Sequence, residues 1–169
     1  GKELFETAIK EMGALNIIAE DLGIITDRVT RLRNEFGFPG MKVLQFAFDG
    51  NPGNPYLPQN YEENSVAYTG THDNDTLKGW FKKSDLKTRQ YILKCLDIDA
   101  DTEQDKITDR IIESVLNSRS ALAVIPLQDY LGADSRGRIN TPSTLGGNWM
   151  WRAGKGMLGS ELSDKIKTM

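Results

Sequence analysis

Apolar residues along this chain switch between a helical period and short continuous runs. Leu4, Phe5, Ala8, Ile9 and Met12 recur every three to four positions, the spacing of one helical face, and Gly13 supplies a stop. Residues 15–19 then form a short apolar run ending in Glu20-Asp21, which reads as a strand with acids at its carboxyl end. Thr26 or Asp27 can cap a helix whose Val29, Leu32 and Phe36 share a face, and Gly37 with Pro39-Gly40 ends it. From Met41 to Phe48 apolar residues are almost continuous, as expected of a strand covered on both faces.

A connection rich in Pro, Gly and Asn follows over 49–64, with Pro52, Pro55 and Pro58. Ordered loops of this length usually serve a function. Next come a strand at Ser65 to Tyr68 and a helix capped by Asp75. Ser84-Asp85 caps another helix, with Leu86, Ile92, Leu93 and Leu96. Ile107, Ile111, Ile112, Val115 and Leu116 define an amphipathic helix, and 121–126 is a buried strand. A Gly-rich tail from about 132 to 159 and a short terminal helix complete the sequence.

Strands near 15–19, 41–47, 65–69 and 121–126 therefore alternate with helices, the α/β pattern of a parallel sheet with crossover helices. Four such strands are half of a (β/α)₈ barrel, and polar residues gather at their carboxyl ends as a barrel requires. The expected inner face uses alternate residues near Ile17, Val43, Ala67 and Val124. Residues 1–169 read as one unit, with the Gly-rich tail as its only distinct segment.

Composition narrows the function by exclusion. Net charge is −3 with no basic run, so nucleic acid is not an expected partner. No apolar stretch approaches the ~18 residues of a membrane span, and the first residues read as helix, not as a leader. The single Cys95 lies in an apolar helical setting and is expected to be a buried structural thiol. A lone thiol fits a reducing compartment, and the expected location is cytoplasmic.

The tract Thr69-Gly70-Thr71-His72-Asp73-Asn74-Asp75 carries the strongest chemical signal. It places the only histidine beside acids at a strand's carboxyl end, where parallel α/β folds do their chemistry. Asp73 with His72 suits a hydroxyl-rich ligand, because a carboxylate accepts and an imidazole can accept or donate. Glu20 occupies the equivalent place after 15–19. It reads either as a general acid, protonated through partial burial and a neighbouring acid, or with Asp21 as a cap for the next helix. A metal site lacks support, since one His with scattered acids has no ligand spacing. Trp80, Trp149, Trp151, Tyr56 and Tyr61 can stack on sugar rings or simply pack. Gly146-Gly147 and Gly154-x-Gly156 lack the strand and helix context of a nucleotide fingerprint. Ser143 and Ser160 have no histidine partner for hydrolase chemistry.

These residues closely resemble a known family. Ala19-Glu20-Asp21-Leu22-Gly23, Phe38-Pro39-Gly40-Met41 through Phe48, and Tyr68-Thr69-Gly70-Thr71-His72-Asp73-Asn74-Asp75-Thr76 with Gly79-Trp80 resemble amylomaltase. So do Ile125-Pro126-Leu127-Gln128-Asp129-Tyr130-Leu131-Gly132, Arg138-Ile139-Asn140-Thr141-Pro142 and Gly147-Asn148-Trp149-x-Trp151-Arg152. Amylomaltase is the 4-α-glucanotransferase of glycoside hydrolase family 77, called disproportionating enzyme in plants. The resemblance spans essentially the whole chain, although family members are much longer.

The resemblance implies the C-terminal half, strands five to eight, of a (β/α)₈ TIM barrel. It implies a retaining transfer of α-1,4-glucan segments to another glucan or to glucose, with no cofactor and no metal. Glu20 becomes the general acid/base and Asp73 the third acid, which holds sugar hydroxyls and stabilises the transition state. His72 and Asn140 become substrate-binding residues. The family's nucleophile is an Asp in an Arg-x-Asp context on the fourth strand, and no such motif precedes Glu20 here. The expected partners are maltooligosaccharides or α-1,4-glucans, the missing N-terminal half, and a second copy through self-association of the half-barrel. The 169 residues alone are expected to be inactive. The rival reading is a non-catalytic carbohydrate-binding or interaction fragment.

Overall fold

The structure, a computed structural model, describes residues 1–169. The first apolar stripe forms α1 (Lys2–Met12), closed by Gly13 at φ 81°, a value that favours glycine. The second forms α2 (Asp27–Glu35), headed by Thr26. Neither helix has a fully buried residue. They are held by the rings of Phe5, Phe36 and Phe38, whose centroids lie 5.1 to 5.8 Å apart, and by a Lys2–Glu35 ion pair.

The sheet has three parallel strands in the order β1 (Gly40–Val43), β2 (Ser65–Tyr68), β3 (Leu122–Val124). Val43, Tyr68 and Val124 stand in register across it. The connection from β2 to β3 contains α3 (Leu77–Lys83), α4 (Leu86–Cys95) and α5 (Gln104–Leu116). After β3 come α6 (Leu127–Tyr130), a 3₁₀ turn at Ser135–Gly137, and α7 (Ser160–Thr168).

Three expected strands are shorter than the sequence implies, each for a local reason. The run 15–19 keeps a single parallel bridge, Ala19 to Gly40. Beyond it the Asp21 side chain, not a continuing strand, accepts the Met41 N–H at 2.7 Å. The run 41–48 leaves the sheet at Val43 and enters a 3₁₀ turn at Leu44–Phe46. There Asn54 Nδ2 donates to Phe46 O at 3.0 Å, so a side chain replaces a ladder partner. Leu44, Ala47 and Phe48 read as strand because they are buried, but they enter the core from that turn. The run 121–126 stops at Val124, and Pro126, which has no N–H to donate, heads α6.

The two faces of the sheet differ. Ala67 points to the helices and joins a cluster of 14 buried residues that includes Leu44, Leu77, Ile92, Ile111, Ile112 and Val115. Each such side chain contributes about 1.5–3 kcal/mol by leaving water. On the opposite face stand Met41, Tyr68 and Val124, joined by Ile18. The expected inner residues Ile17 and Ala67 are thus corrected. Side chains alternate along a strand, and Ile18 lines the cleft with Glu20, while Ala67 belongs to the helix side. Cys95 is half-buried at the margin of the cluster. No helix is long and apolar enough to cross a membrane.

Candidate active site

A cleft of about 810 Å³ opens over the carboxyl ends of the strands. Glu20, the loop from β2 to α3, and the segment after the 3₁₀ turn at Ser135–Gly137 all line it. Glu20 is exposed and has no hydrogen-bond partner within the protein's own side chains. Burial raises the Tyr68 phenol above its ordinary value, and the charge of Glu20 adds to that rise.

Asp21 does not share this role. Its Oδ2 accepts from Arg33 Nη1 at 2.5 Å and its Oδ1 accepts from the Met41 backbone, which ties α2 to β1. Gly40 makes the tie feasible, because a Cβ there would lie 2.2 Å from Arg33 Nη1 and 2.4 Å from Asp21 Oδ2. Thr26, not Glu20 or Asp21, occupies the N-cap position of α2, so the capping reading of the acid pair lapses. In this chain Glu20 has neither the burial nor the unpaired acidic neighbour that the sequence reading expects.

The loop between β2 and α3 is built by short polar bonds. Thr71 donates through both its N–H and its hydroxyl to Asn74 Oδ1, each at 2.9 Å. The Asp73 N–H donates to Thr71 Oγ1 at 3.2 Å. These bonds turn Asp73 up to the cleft, where Asn140 Nδ2 donates to its Oδ1 at 2.5 Å. His72 Nε2 stands 3.4 Å from the same oxygen, and the Asn140 N–H donates to His72 O at 3.2 Å. His72, Asp73 and Asn140 therefore form one contiguous group, and Glu20 lines the same cleft.

Several supporting residues were not singled out from the sequence as site residues. Arg138 Nη2 donates to Asp73 O at 2.6 Å. Asp129 is 2% exposed and lies beneath the loop. The Thr69 hydroxyl donates to its Oδ2 at 2.6 Å, and the Leu77 N–H donates to its Oδ1 at 2.8 Å. One carboxylate thus clamps both ends of the segment that carries His72 and Asp73. Burial pushes the Asp129 carboxyl up to about 6, against the pull of those two donors, and the charge of Asp75 adds to the rise. Asp75 does not cap α3. Thr76 does, accepting from the Gly79 N–H, while Asp75 accepts from Ser135 Oγ at 2.8 Å and Lys83 Nζ at 2.6 Å. Gly79 leaves room for this contact, since a Cβ would lie 2.3 Å from Ser135 Oγ. The signal for Asp129 was available in principle, because it follows a strand just as Glu20 and Asp73 do.

The aromatic candidates separate cleanly. Trp80 packs on Phe48 at 5.8 Å, Tyr56 meets Phe46 edge-on at 5.6 Å, and Tyr61 is buried with its phenol raised by desolvation. Trp151 is half-buried beside Lys78 and Arg136 in a separate hollow. Only Trp149 adjoins the site, with its ring 5.2 Å from that of His72. No group of three or more His, Cys, Asp and Glu side chains converges to hold a metal ion.

A family model described as 4-alpha-glucanotransferase matches residues 1–156. The chain is 47% identical over 152 residues to the chloroplastic/amyloplastic 4-alpha-glucanotransferase of Solanum tuberosum, covering 90% of this chain and 26% of that protein. It is 48% identical over 168 residues to the 4-alpha-glucanotransferase of Synechocystis, covering 98% of this chain and 33% of that one. Among solved structures, amylomaltase from Streptococcus agalactiae in complex with acarbose superposes with a TM-score of 0.91 at 36% identity. That match covers 98% of this chain and 33% of the other. The chain thus spans about a quarter to a third of the length of the relatives it matches.

Proposed function

This chain belongs to the 4-alpha-glucanotransferase family, glycoside hydrolase family 77, and from that premise we propose that it supplies one half of a glucan-transferring active site. The observation that carries the proposal is the Asp73–Asn140–His72 group facing Glu20's cleft, within a segment that matches the family over 1–156. Ala19 and the three strands act as strands five to eight of a (β/α)₈ barrel, and residues 1–169 act as one half-barrel unit with its tail from about 132. The remaining strands close the barrel against the face that carries Ile18 and Val124.

Glu20 protonates the oxygen that leaves the anomeric carbon of an α-1,4-glucan. A carboxylate from outside these residues attacks the other side of that carbon, about 5–5.5 Å from Glu20, and forms a covalent glycosyl-enzyme. Glu20 then takes the proton of an incoming 4-hydroxyl, and that oxygen displaces the enzyme carboxylate with net retention. Asp73 holds hydroxyls of the reacting ring and stabilises the positive charge of its transition state. Asn140 and His72 fix the Asp73 carboxylate and contact the same ring. Closing the barrel also supplies the burial that Glu20 lacks in this chain. A reducing compartment such as the cytoplasm fits the lone thiol, and the potato relative's name assigns that protein to chloroplasts and amyloplasts.

The test is product analysis with maltotriose. The full-length protein is expected to yield a ladder of longer and shorter glucans, and the 169 residues alone are expected to yield none. Only shorter products from the full-length protein would establish hydrolysis instead. Binding of glucan without turnover by the full-length protein would favour a non-catalytic carbohydrate-binding role.

A further inference from the structure

We propose that Trp149 is the platform for a second glucose ring, next to the ring held by Asp73 and His72. This rests on the glucan reading of the cleft and adds to it a subsite and the residue that forms it.

Two unfavourable features coincide at Trp149. Its φ is 63°, in the left-handed region that a bulky side chain rarely enters. The residue is 64% exposed, so a large side chain stays in contact with water. Backbone strain of this kind persists only where the surroundings enforce it, and it gathers at ligand sites. The surroundings here do enforce it. The Trp149 N–H donates to Ile139 O at 2.7 Å, which pins the end of the loop to the cleft wall. Inside the loop, Asn148 Oδ1 accepts from the Thr141 N–H at 2.9 Å, and Asn148 Nδ2 donates to Thr144 Oγ1 at 3.1 Å. Ser143 shares the left-handed conformation at φ 63°, as do Gly146 and Gly147. The segment 139–149 is therefore a closed loop whose bonds aim one aromatic ring outward.

The place it aims at is specific. The indole lies against His72 at 35° between ring planes, and His72 is bonded into the Asp73–Asn140 group. One side of the indole is thus occupied and the rest is open. A pyranose presents C–H groups on its flat faces and hydroxyls at its rim. It can cover an indole with its apolar face while its hydroxyls reach acids such as Asp73. No other tryptophan stands against His72, since Trp80 is packed on Phe48 and Trp151 lies in a separate hollow beside Lys78 and Arg136.

The alternative role is a brace that only positions His72, and substrates of different length separate the two. Trp149→Ala and Trp149→Phe are made in the full-length protein, and each is checked for an unchanged thermal melt. kcat/KM is then measured with maltotriose and with α-glucosyl fluoride, which carries a single ring. Trp149→Ala is expected to lose about tenfold more with maltotriose than with the fluoride, mostly through KM. Trp149→Phe is expected to recover most of that loss. Equal losses with the two donors, or no loss, would overturn the platform while leaving the glucanotransferase reading intact. A wild type that extends no glucan would overturn that reading and the platform with it.

Discussion

The two faces of the β1–β3 sheet have opposite fates. The face that carries Ala67 is closed by α3, α4 and α5, and its 14-residue cluster includes Ile92, Ile111, Ile112 and Val115 at 0% exposure. On the other face Val43 and Val66 are buried at 0% and 2% exposure, whereas Ile18, Leu122 and Val124 stand at 44%, 50% and 41%, although all are apolar. The closed face specifies the fold and carries no chemistry. The open face carries the carboxylates and remains unfinished as a core. An apolar sheet face left in water is unfavourable by about 25 cal/mol per Å², so Ile18, Leu122 and Val124 gain from any cover placed over them. The sheet is thus packed by helices on one side and opens to the cleft on the other.

The largest effects should come from the open face and should appear in turnover. In the full-length protein, Glu20→Gln is expected to lose about 10²–10⁴ in kcat with maltotriose, the usual worth of proton transfer. A fluoride leaving group needs no proton, so it should restore formation of the covalent intermediate. Asp73→Asn is expected to remain impaired with either donor, because in the proposed mechanism the lost charge acts on the transition state. Equal rescue of both variants by α-glucosyl fluoride would falsify this division of labour.

The closed face should answer in stability instead. Ile111 is wholly buried, and Ile111→Ala is expected to cost about 2–5 kcal/mol through lost burial and the cavity left behind. Chemical denaturation of the full-length variant measures it, and the midpoint should fall with little change in KM. A loss of substrate affinity at full stability would mean that the two faces are not separable.

How much of this contrast was legible depends on which period was being read. The amphipathic stripes of α1 and α5 and the caps Gly13 and Asp85 follow from side-chain spacing and polar punctuation, and they stand as expected. The strand ends do not, because burial and strand are different properties. Leu44, Ala47 and Phe48 are buried without being sheet, and Asp21 ends the 15–19 ladder with a side chain that spacing cannot orient. At the site, adjacency in sequence placed His72 with Asp73, and the resemblance brought in Asn140, which bonds Asp73 across 67 positions. Asp129 lay in a quoted motif, but its role depends on Thr69 and Leu77, which converge on it only in three dimensions. Its neighbour in kind, Trp149, is marked by a backbone angle that composition does not reveal.

Asp129 lines the cleft yet is buried, and its response should be intermediate in size. Its carboxyl is raised to about 6 in the fold from an ordinary value of 3.8. The folded state therefore keeps a proton that the unfolded chain releases. The associated stability is complete below about pH 4 and is lost as pH rises through about 6. Asp129→Asn cannot ionise and should flatten this part of the profile, a change on the order of 2 kcal/mol. Thermal melts from pH 4 to 7 on the wild type and the variant test it. Parallel profiles would mean that the charge of Asp129 is better accommodated by Thr69 and Leu77 than its burial implies.

The smallest effect belongs to the open face when nothing covers it, and it sharpens the comparison most. Leu122 is 50% exposed on β3, on the side that carries Val124. If that side meets water in the isolated 169 residues, Leu122→Ser removes little buried surface. The change should then stay within about 0.5 kcal/mol, as for most surface substitutions. If the proposed barrel closes over this side in the full-length protein, the loss should rise towards that of a core truncation, about 2 kcal/mol or more. The ratio of the two losses therefore measures how much of the cover lies outside these residues. A second copy could provide a substitute, because the free edge of β3 offers unpaired backbone groups to another chain. Sedimentation of the isolated chain at micromolar concentration detects that state, and Leu122→Ser should then weaken the association. A monomer at all concentrations in which Leu122→Ser still costs several kcal/mol would show that the chain covers its own inner face, and the contrast between the two faces would fail.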